Sequence, residues 1–490
     1  MKDKTHLSIP LMSAPPPPSQ AAPLYQEVAD KIARLIQEGV LRPGERVSSL
    51  RKVSEQYGVS ITTAIQAFIL LEDRGLVEAR PKSGFFVRMP RPVLKEPAMA
   101  KRPRAITAVT VGALQSRLFE AAMLPNLLPL GGAVPSPELL PTVKLNRILA
   151  SVARRAGKSG ISYDMPPGSG ILRREIAKRV MNAGVTLLPQ EIITTCGATE
   201  ALMLCLRAVT IPGSVVAVES PTYFGLLHAL EELGLKAIEI PTHPRDGMDL
   251  EALGKALKTR TIAACLSVPT FSNPQGALMP DAAKHRLVQM LAEREVPLIE
   301  DDVFGELHYS SHRPRMAKAY DESGNVLLCS SFSKSLAPGY RVGWVAPGRY
   351  YERVKTLKLT STLATATLPE LAIAEFLTNG GYDHYLRSAR AFYEANVQRV
   401  GQAVAAAFPA GTKVTQPQGG FVLWVEMPAK VNALRLQDDA LAHEINIAPG
   451  PMFSPTQAYT NCIRLSCGVP WTPRLQQAIT TLGKLAQKQL

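Results

Sequence analysis

The sequence predicts a multidomain chain. A small helical module closed by a β-hairpin comes first. An α/β body with a mixed, mostly parallel sheet and a smaller α+β domain follows. Three observations predict this. Amphipathic stretches of helical period crowd the first 75 residues and end in two short apolar runs. From about residue 113, short β-rich apolar runs alternate with helical patterns, the order of a parallel sheet. Charge is uneven: residues 20–104 hold fifteen Lys and Arg against nine Asp and Glu, while 105–490 contribute only +7 of the total +14. A chain of 490 residues with 46% apolar content can bury several cores.

Residues 1–19, with Pro15–Pro18, read as a flexible tail. The module spans 20–88. Val28, Ile32, Leu35 and Ile36 share a face of the first helix, which Gly39 ends. Leu41-Arg42-Pro43-Gly44 turns the chain. A second helix runs roughly from Ser49 to Tyr57, and Gly58 makes the next turn. Ser60 caps a third helix, reaching about Asp73, with Ala64, Ala67, Phe68 and Leu71 inward. Gly75-Leu76-Val77-Glu78 and Phe85-Phe86-Val87 read as strands around a basic tip, Ala79 to Gly84.

Three helices and a basic hairpin make a winged helix-turn-helix, whose second motif helix enters the DNA major groove. Thr62, Thr63 and Gln66 are placed to reach base edges or phosphates. Arg51, Lys52, Arg80 and Lys82 are placed as phosphate anchors. Ile61, Ile65 and Ile69 repeat every four residues off the core face, which leaves a protein-contact role open. Residues 89–114, with Pro90, Pro92, Pro97 and Pro103 among basic residues, read as a semi-stiff linker.

The body spans 115–490. Its large part covers about 160–370, and its small part about 115–150 plus 371–490. Strands are expected at 192–195, 215–218, 237–240, 261–266, 296–299 and 326–329. Pro297 is tolerable near a strand start. Ligands in open α/β sheets bind beyond the carboxyl ends of such strands.

The chemistry gathers there. Lys334 follows the strand at 326–329 in Ser331-Phe332-Ser333-Lys334. A lysine near a buried sheet edge loses part of its charge and becomes nucleophilic, able to hold an aldehyde. Ser331 and Arg341 can grip a phosphate, and Gly197-Ala198-Thr199 opens a helix whose free N–H groups form an anion site. Lysine plus phosphate cup is the demand of pyridoxal 5'-phosphate (PLP). Asp301 can pair with the pyridine nitrogen, with Glu300 and Asp302 as rivals on spacing alone. Tyr223 is a candidate ring stacker and Asn273 a donor to the cofactor's 3-oxygen. Arg464, on an apolar strand, suits a carboxylate. Ser331 to Lys334 also fits an SxxK acyl-transfer pattern, but no Ser-Asp-Asn or Lys-Thr-Gly companion stands in a fitting context.

The six cysteines form no CxxC pair and the eight histidines no metal spacing, so no metal is expected. No signal-peptide pattern or membrane-length apolar run is seen, and the bacterial cytoplasm is the expected location.

The module, with its Pro-Gly turn, Ser60–Thr63 start, Gly75-Leu76 end and Ser83-Gly84 tip, resembles the GntR-type winged-helix domain. From about 115 to 485 the chain resembles the aspartate-aminotransferase superfamily, PLP fold type I. That resemblance implies an aldimine at Lys334, the ring-nitrogen carboxylate at Asp301, the stacker at Tyr223 and the 3-oxygen donor at Asn273. It implies phosphate contacts from Ala198, Thr199, Ser331, Ser333 and Arg341, with Tyr163 reaching the neighbouring subunit's phosphate. Gly132 looks like a backbone contact near the substrate, Arg464 like the carboxylate clamp, and a homodimer is implied. One position departs: the superfamily's Asp-x-x-Tyr tyrosine is Phe304 here, which removes one hydrogen bond to the 3-oxygen. The full order resembles the MocR group of GntR regulators. That implies a dimeric regulator binding double-stranded DNA and sensing PLP or an amino-acid or amine effector. An aminotransferase acting on an amino acid and a 2-oxo acid is the alternative.

Overall fold

The computed structural model describes residues 23–42, 44–74, 76–80, 83–87, 95–99, 105–112, 115, 116, 118, 120, 126–379 and 381–490. The chain divides into two compact units, Met1–Pro92 and Val93–Leu490.

In the first unit, α1 spans Leu24–Gln37, α2 Leu50–Tyr57 and α3 Ile61–Asp73. Serines start the two later helices. Ser49 Oγ accepts from Lys52 N at 3.3 Å and Ser60 Oγ from Thr63 N at 3.0 Å, each satisfying an orphan first-turn donor. Gly58 ends α2 at φ 63°, a left-handed cap that glycine adopts without a Cβ penalty. Ala64, Ala67, Phe68 and Leu71 are fully buried against Val28, Ile32 and Val53. Phe68 also packs on Phe85, with ring centres 4.5 Å apart.

The hairpin pairs β1, Val77–Arg80, with β2, Gly84–Val87. Pairing starts two residues later than expected. Leu76 N bonds back to Leu71 O at 2.9 Å, so Leu76 belongs to the turn leaving α3. Arg80 therefore lies on the strand, opposite Gly84, rather than on the tip. Lys82 and the 1–19 tail lie outside the described residues, as does the side chain of Arg80.

In the second unit, a nine-stranded sheet carries the large part. Its central strands, Lys236–His243, Val215–Ser220, Ala264–Ser267, Leu298–Asp301 and Val326–Ser331, run parallel in that order. Gly343–Ala346 then joins antiparallel, followed by Ile193–Thr195. Pro297 lies just before its strand, where its missing N–H costs no ladder bond. The parallel run places the ends at Ser220, Ser267, Asp301 and Ser331 along one edge. Val218, Leu266, Ile299 and Leu327 bury the sheet face beneath them.

The small part holds a four-stranded antiparallel sheet in the order Lys413–Val414, Val422–Glu426, Cys462–Ser466 and Ala448–Pro449. Leu128–Pro129 pairs with Ile445–Asn446, which ties the early body segment to the C-terminal remainder.

The expected linker ends sooner than residue 114. Lys95 O accepts from Val414 N at 2.8 Å, and Glu96 pairs with Arg245. Thr107–Ala108 adds an antiparallel edge strand against Lys236 and Ala237. Glu231 accepts from Val111 N and Gly112 N at 2.8 and 2.9 Å. Among the described residues no helix is long and apolar enough to cross a membrane.

Candidate cofactor site

The strand Val326–Ser331 delivers Lys334 through a tight turn. Phe332 N donates to Val342 O and Leu336 N to Phe332 O, which fixes the backbone on both sides of the lysine. Lys334 Nζ donates to Ala133 O at 2.7 Å. Burial, then the charges of Arg464 and Arg341, push its ammonium down to about 8, although Asp301 pulls it up. An amine near neutrality in its pKa is an available nucleophile at ordinary pH.

Three consecutive carboxylates leave the neighbouring strand, and their partners separate them. Glu300 accepts from Ala317 N and Lys318 N, both at 2.8 Å. Asp302 accepts from Arg313 at 2.6 Å, in a pair shielded from solvent. Asp301 is 4% exposed and its Oδ1 has no partner. Burial, with repulsion from Asp302, raises the Asp301 carboxyl to about 7. Of the three, only Asp301 thus offers a desolvated oxygen in search of a donor.

The anion cup forms where two turns meet. The helix Gly197–Val209 begins with Gly197 at φ 81°, and Cys196 gives it no side-chain cap. Arg341, itself left-handed at φ 52°, sends Nη2 to Cys196 O and Nη1 to Ser333 Oγ, each at 3.3 Å. A Cβ on Gly197 would stand 2.5 Å from Arg341 Nη2, so the bare backbone is what lets the guanidinium close on the helix start. Ser331 and Ser333 are buried beside it, and Ser331 Oγ accepts from Ser333 N at 3.4 Å. Ala198 is half-buried and Thr199 exposed in the first helical turn.

Arg464 comes from the small sheet and is fully buried. Its Nη1 donates to Asn273 Oδ1 at 2.9 Å and its Nη2 to Gly131 O, while Nε has no partner. Its plane faces the Phe224 and Phe453 rings at 5.5 and 5.2 Å. Burial lowers it to about 10. No carboxylate of the chain pairs with it among the described residues. With Oδ1 engaged, the Asn273 amide keeps its Nδ2 to donate elsewhere. Tyr223 feels Arg464, Asp301 and Arg341 together, and burial raises its hydroxyl. Lys334, Asp301, Tyr223, Asn273, Arg341, Ser331, Ser333 and Arg464 are therefore one neighbourhood.

Two expected residues stand differently. Tyr163 is 76% exposed and shares no hydrogen bond with the cup. Gly132 contributes only as the link between two carbonyls, Gly131 O and Ala133 O, that receive Arg464 and Lys334. Phe304 is buried in the main core, edge-on to Phe421 at 5.4 Å.

The sequence pattern assigned no role to three contributors, although Glu219-Ser220 stood out as a polar strand end. Gly225 leaves room for the Tyr223 ring, whose carbons a Cβ there would approach to 2.6 Å. Glu219 is buried at its strand end, accepts from Ser267 Oγ at 2.6 Å, and is raised to about 7 by burial. Its place beside Ser220 at a strand terminus was the available signal. Arg313 neutralises Asp302 from a distant loop, which no local pattern reveals.

An orphaned buried carboxylate, a neutralisable lysine and a glycine-lined anion cup fit PLP. The family described as Bacterial regulatory proteins, gntR family, matches residues 24–87. That described as Aminotransferase class I and II matches residues 138–481. The uncharacterized HTH-type transcriptional regulator YdcR of Escherichia coli (strain K12) is 39% identical over 95% of this chain and 99% of its own length. The chain belongs to the MocR-like group of GntR regulators. The uncharacterized HTH-type transcriptional regulator YisV of Bacillus subtilis (strain 168) is 25% identical over 95% of this MocR-like chain and 96% of its own length. Among solved structures, LysN, the α-aminoadipate aminotransferase of Thermus thermophilus complexed with N-(5'-phosphopyridoxyl)-L-leucine, superposes on the body. Its TM-score is 0.71 at 29% identity, over 77% of this chain and 96% of that one. The cofactor of the MocR-like body is PLP, and its helix-turn-helix binds DNA.

Proposed function

We propose that this MocR-like regulator reads PLP, or an amino acid or amine meeting it, through Lys334 and transmits occupancy to DNA binding. The observation that carries the reading is the unpartnered Oδ1 of Asp301, desolvated beside a lysine lowered to about 8. When bound, PLP supplies an aldehyde for an amine and a ring that withdraws electrons. Lys334 is the amine for that aldehyde. Asp301 accepts from the ring nitrogen and Asn273 Nδ2 donates to the 3-oxygen, while Tyr223 covers the ring. Ala198, Thr199, Ser331, Ser333 and Arg341 hold the phosphate. Arg464 holds an effector carboxylate, beside the Gly132 backbone. The exposed Tyr163 completes the partner's cup in a homodimer. An effector that binds two arrangements of the subunits unequally shifts their populations, and with them the spacing of the DNA modules.

The test is the absorption spectrum of the protein supplied with PLP. A visible band is expected, abolished in Lys334→Ala and moved by the effector. An unchanged band in Lys334→Ala would remove Lys334 from the reading.

The convergence of Asn273, Asp301, Lys334 and Arg464 also favours a second reading, a working aminotransferase. Phe304 weighs against it, because its apolar edge supplies no donor to the 3-oxygen. Sustained conversion of an amino acid and a 2-oxo acid over many turnovers would establish it.

A further inference from the structure

On the DNA-reading helix α3, the core face is complete without Ile61, Ile65 and Ile69. Ala64, Ala67, Phe68 and Leu71 fill it and are fully buried. The three isoleucines are instead 51%, 40% and 50% exposed. Ile65 is one turn from Ile61 and stands beside the exposed Thr62 and Gln66. The helix carries no Lys, Arg or His, and its only charges, Glu72 and Asp73, are at its C-terminal end. The basic residues sit elsewhere: Arg51 and Lys52 are exposed in the first turn of α2, and Arg46 lies against Gly84 of the hairpin.

This division has a chemical meaning in a major groove. Phosphates are met by cations, base edges by donors, acceptors or apolar groups. The base edges of the groove offer one apolar group, the C5 methyl of thymine. A helix presenting branched aliphatic side chains in place of guanidinium groups has lost the usual bidentate contact to guanine. The N-terminal half of a reading helix is the part that touches bases. Ile61 and Ile65 occupy that half, whereas Ile69 lies about 12 Å from Ile61 along the axis, as far as the groove is wide.

We infer that Ile61 and Ile65 recognise thymine methyl groups, so that each half-site of the operator carries A·T pairs at the positions they face. Thr62 and Gln66, interleaved with them, supply the polar contacts, and Gln66 suits adenine. The inference rests on the DNA-binding role of the module and adds what the module reads.

The experiment uses the full-length protein and duplexes selected by it from a random-sequence pool. Each conserved thymine is then replaced by deoxyuridine, which removes the methyl and nothing else. Loss of a methyl facing Ile61 or Ile65 is expected to weaken binding about fourfold, as for one buried methyl-sized group. In Ile61→Ala/Ile65→Ala the same replacement should leave binding nearly unchanged, because the side chains that met the methyls are gone. Ile65→Arg should shift the selected base at its position towards guanine.

Any of four results overturns the inference while leaving the regulator intact. One is a selected site with G·C pairs at these positions. Another is full-strength binding to the deoxyuridine duplexes. A third is a deoxyuridine penalty undiminished in the double variant, and the fourth is an alanine effect seen only in the protein's oligomeric mass, which would assign the stripe to a second copy. A protein that retains no sequence from the pool would overturn the DNA-binding reading as well.

Discussion

Asp301 concentrates the electrostatics of the site in a single oxygen. Its neighbours Glu300 and Asp302 have the same chemistry and adjacent positions; spacing alone left all three open, and only the family resemblance singled out Asp301. Only long-range partners separate them: Ala317 and Lys318 take Glu300, and Arg313 takes Asp302. Asp301→Asn removes the charge and keeps the shape. It is expected to weaken PLP binding by roughly 10- to 150-fold, the worth of a hydrogen bond to a charged group at about 1.5–3 kcal/mol, measured by fluorescence titration. The same carboxyl gives a pH signature. Burial raises it from 3.8 to about 7, so the folded cofactor-free protein binds a proton there that the unfolded chain releases. This stabilising contribution is complete below the lower value and is lost as pH rises through the upper one. The melting temperature of the cofactor-free protein, relative to that of Asp301→Asn, should therefore fall between mildly acidic and neutral pH. Glu219 and Glu300, raised to about 7, and Asp302, raised to about 6, titrate in the same window, so it is the difference from Asp301→Asn and not the melting curve alone that reports Asp301.

At the scale of elements, the start of the helix Gly197–Val209 is the part most exposed to mutation. Gly197→Ala places a Cβ 2.5 Å from Arg341 Nη2 and strains a left-handed φ by about 1–2 kcal/mol. Retention of PLP during dialysis should fall about tenfold or more as the cup opens. In the module, Ser60→Ala removes the α3 cap and is expected to cost the DNA-binding unit about 1 kcal/mol, read from its own melting transition. Caps, turn glycines and the buried stripe of α3 were legible because each depends on residues within a few positions. The early end of the linker was not. Thr107–Ala108 is a strand only because Lys236 and Ala237 offer it an edge, and nothing between Pro103 and Gly112 announces that partner. Leu76 was placed on a strand for the converse reason: its apolar, β-compatible surroundings conceal a backbone bond to Leu71.

For the whole molecule, the two-part organisation was written in the charge distribution and the change of hydrophobic period, and the two compact units divide near that boundary. If Arg51, Lys52, Arg80 and Lys82 of two modules all met phosphates, as proposed from the sequence, the slope of log K against log salt would be about −7. Lys82→Ala should reduce that slope by about 2, and a reduction of about 1 would mean that one module engages DNA at a time. The site has its own molecule-wide consequence. Lys334 and Arg464 both donate to the backbone on either side of Gly132, and that segment continues from Leu128–Pro129, which is tethered to Ile445–Asn446. On the proposed reading, an aldehyde at Lys334 and a carboxylate at Arg464 would each displace a carbonyl that the side chain already holds, so both would bind more weakly than to a free side chain, and each displacement would release the same stretch of backbone.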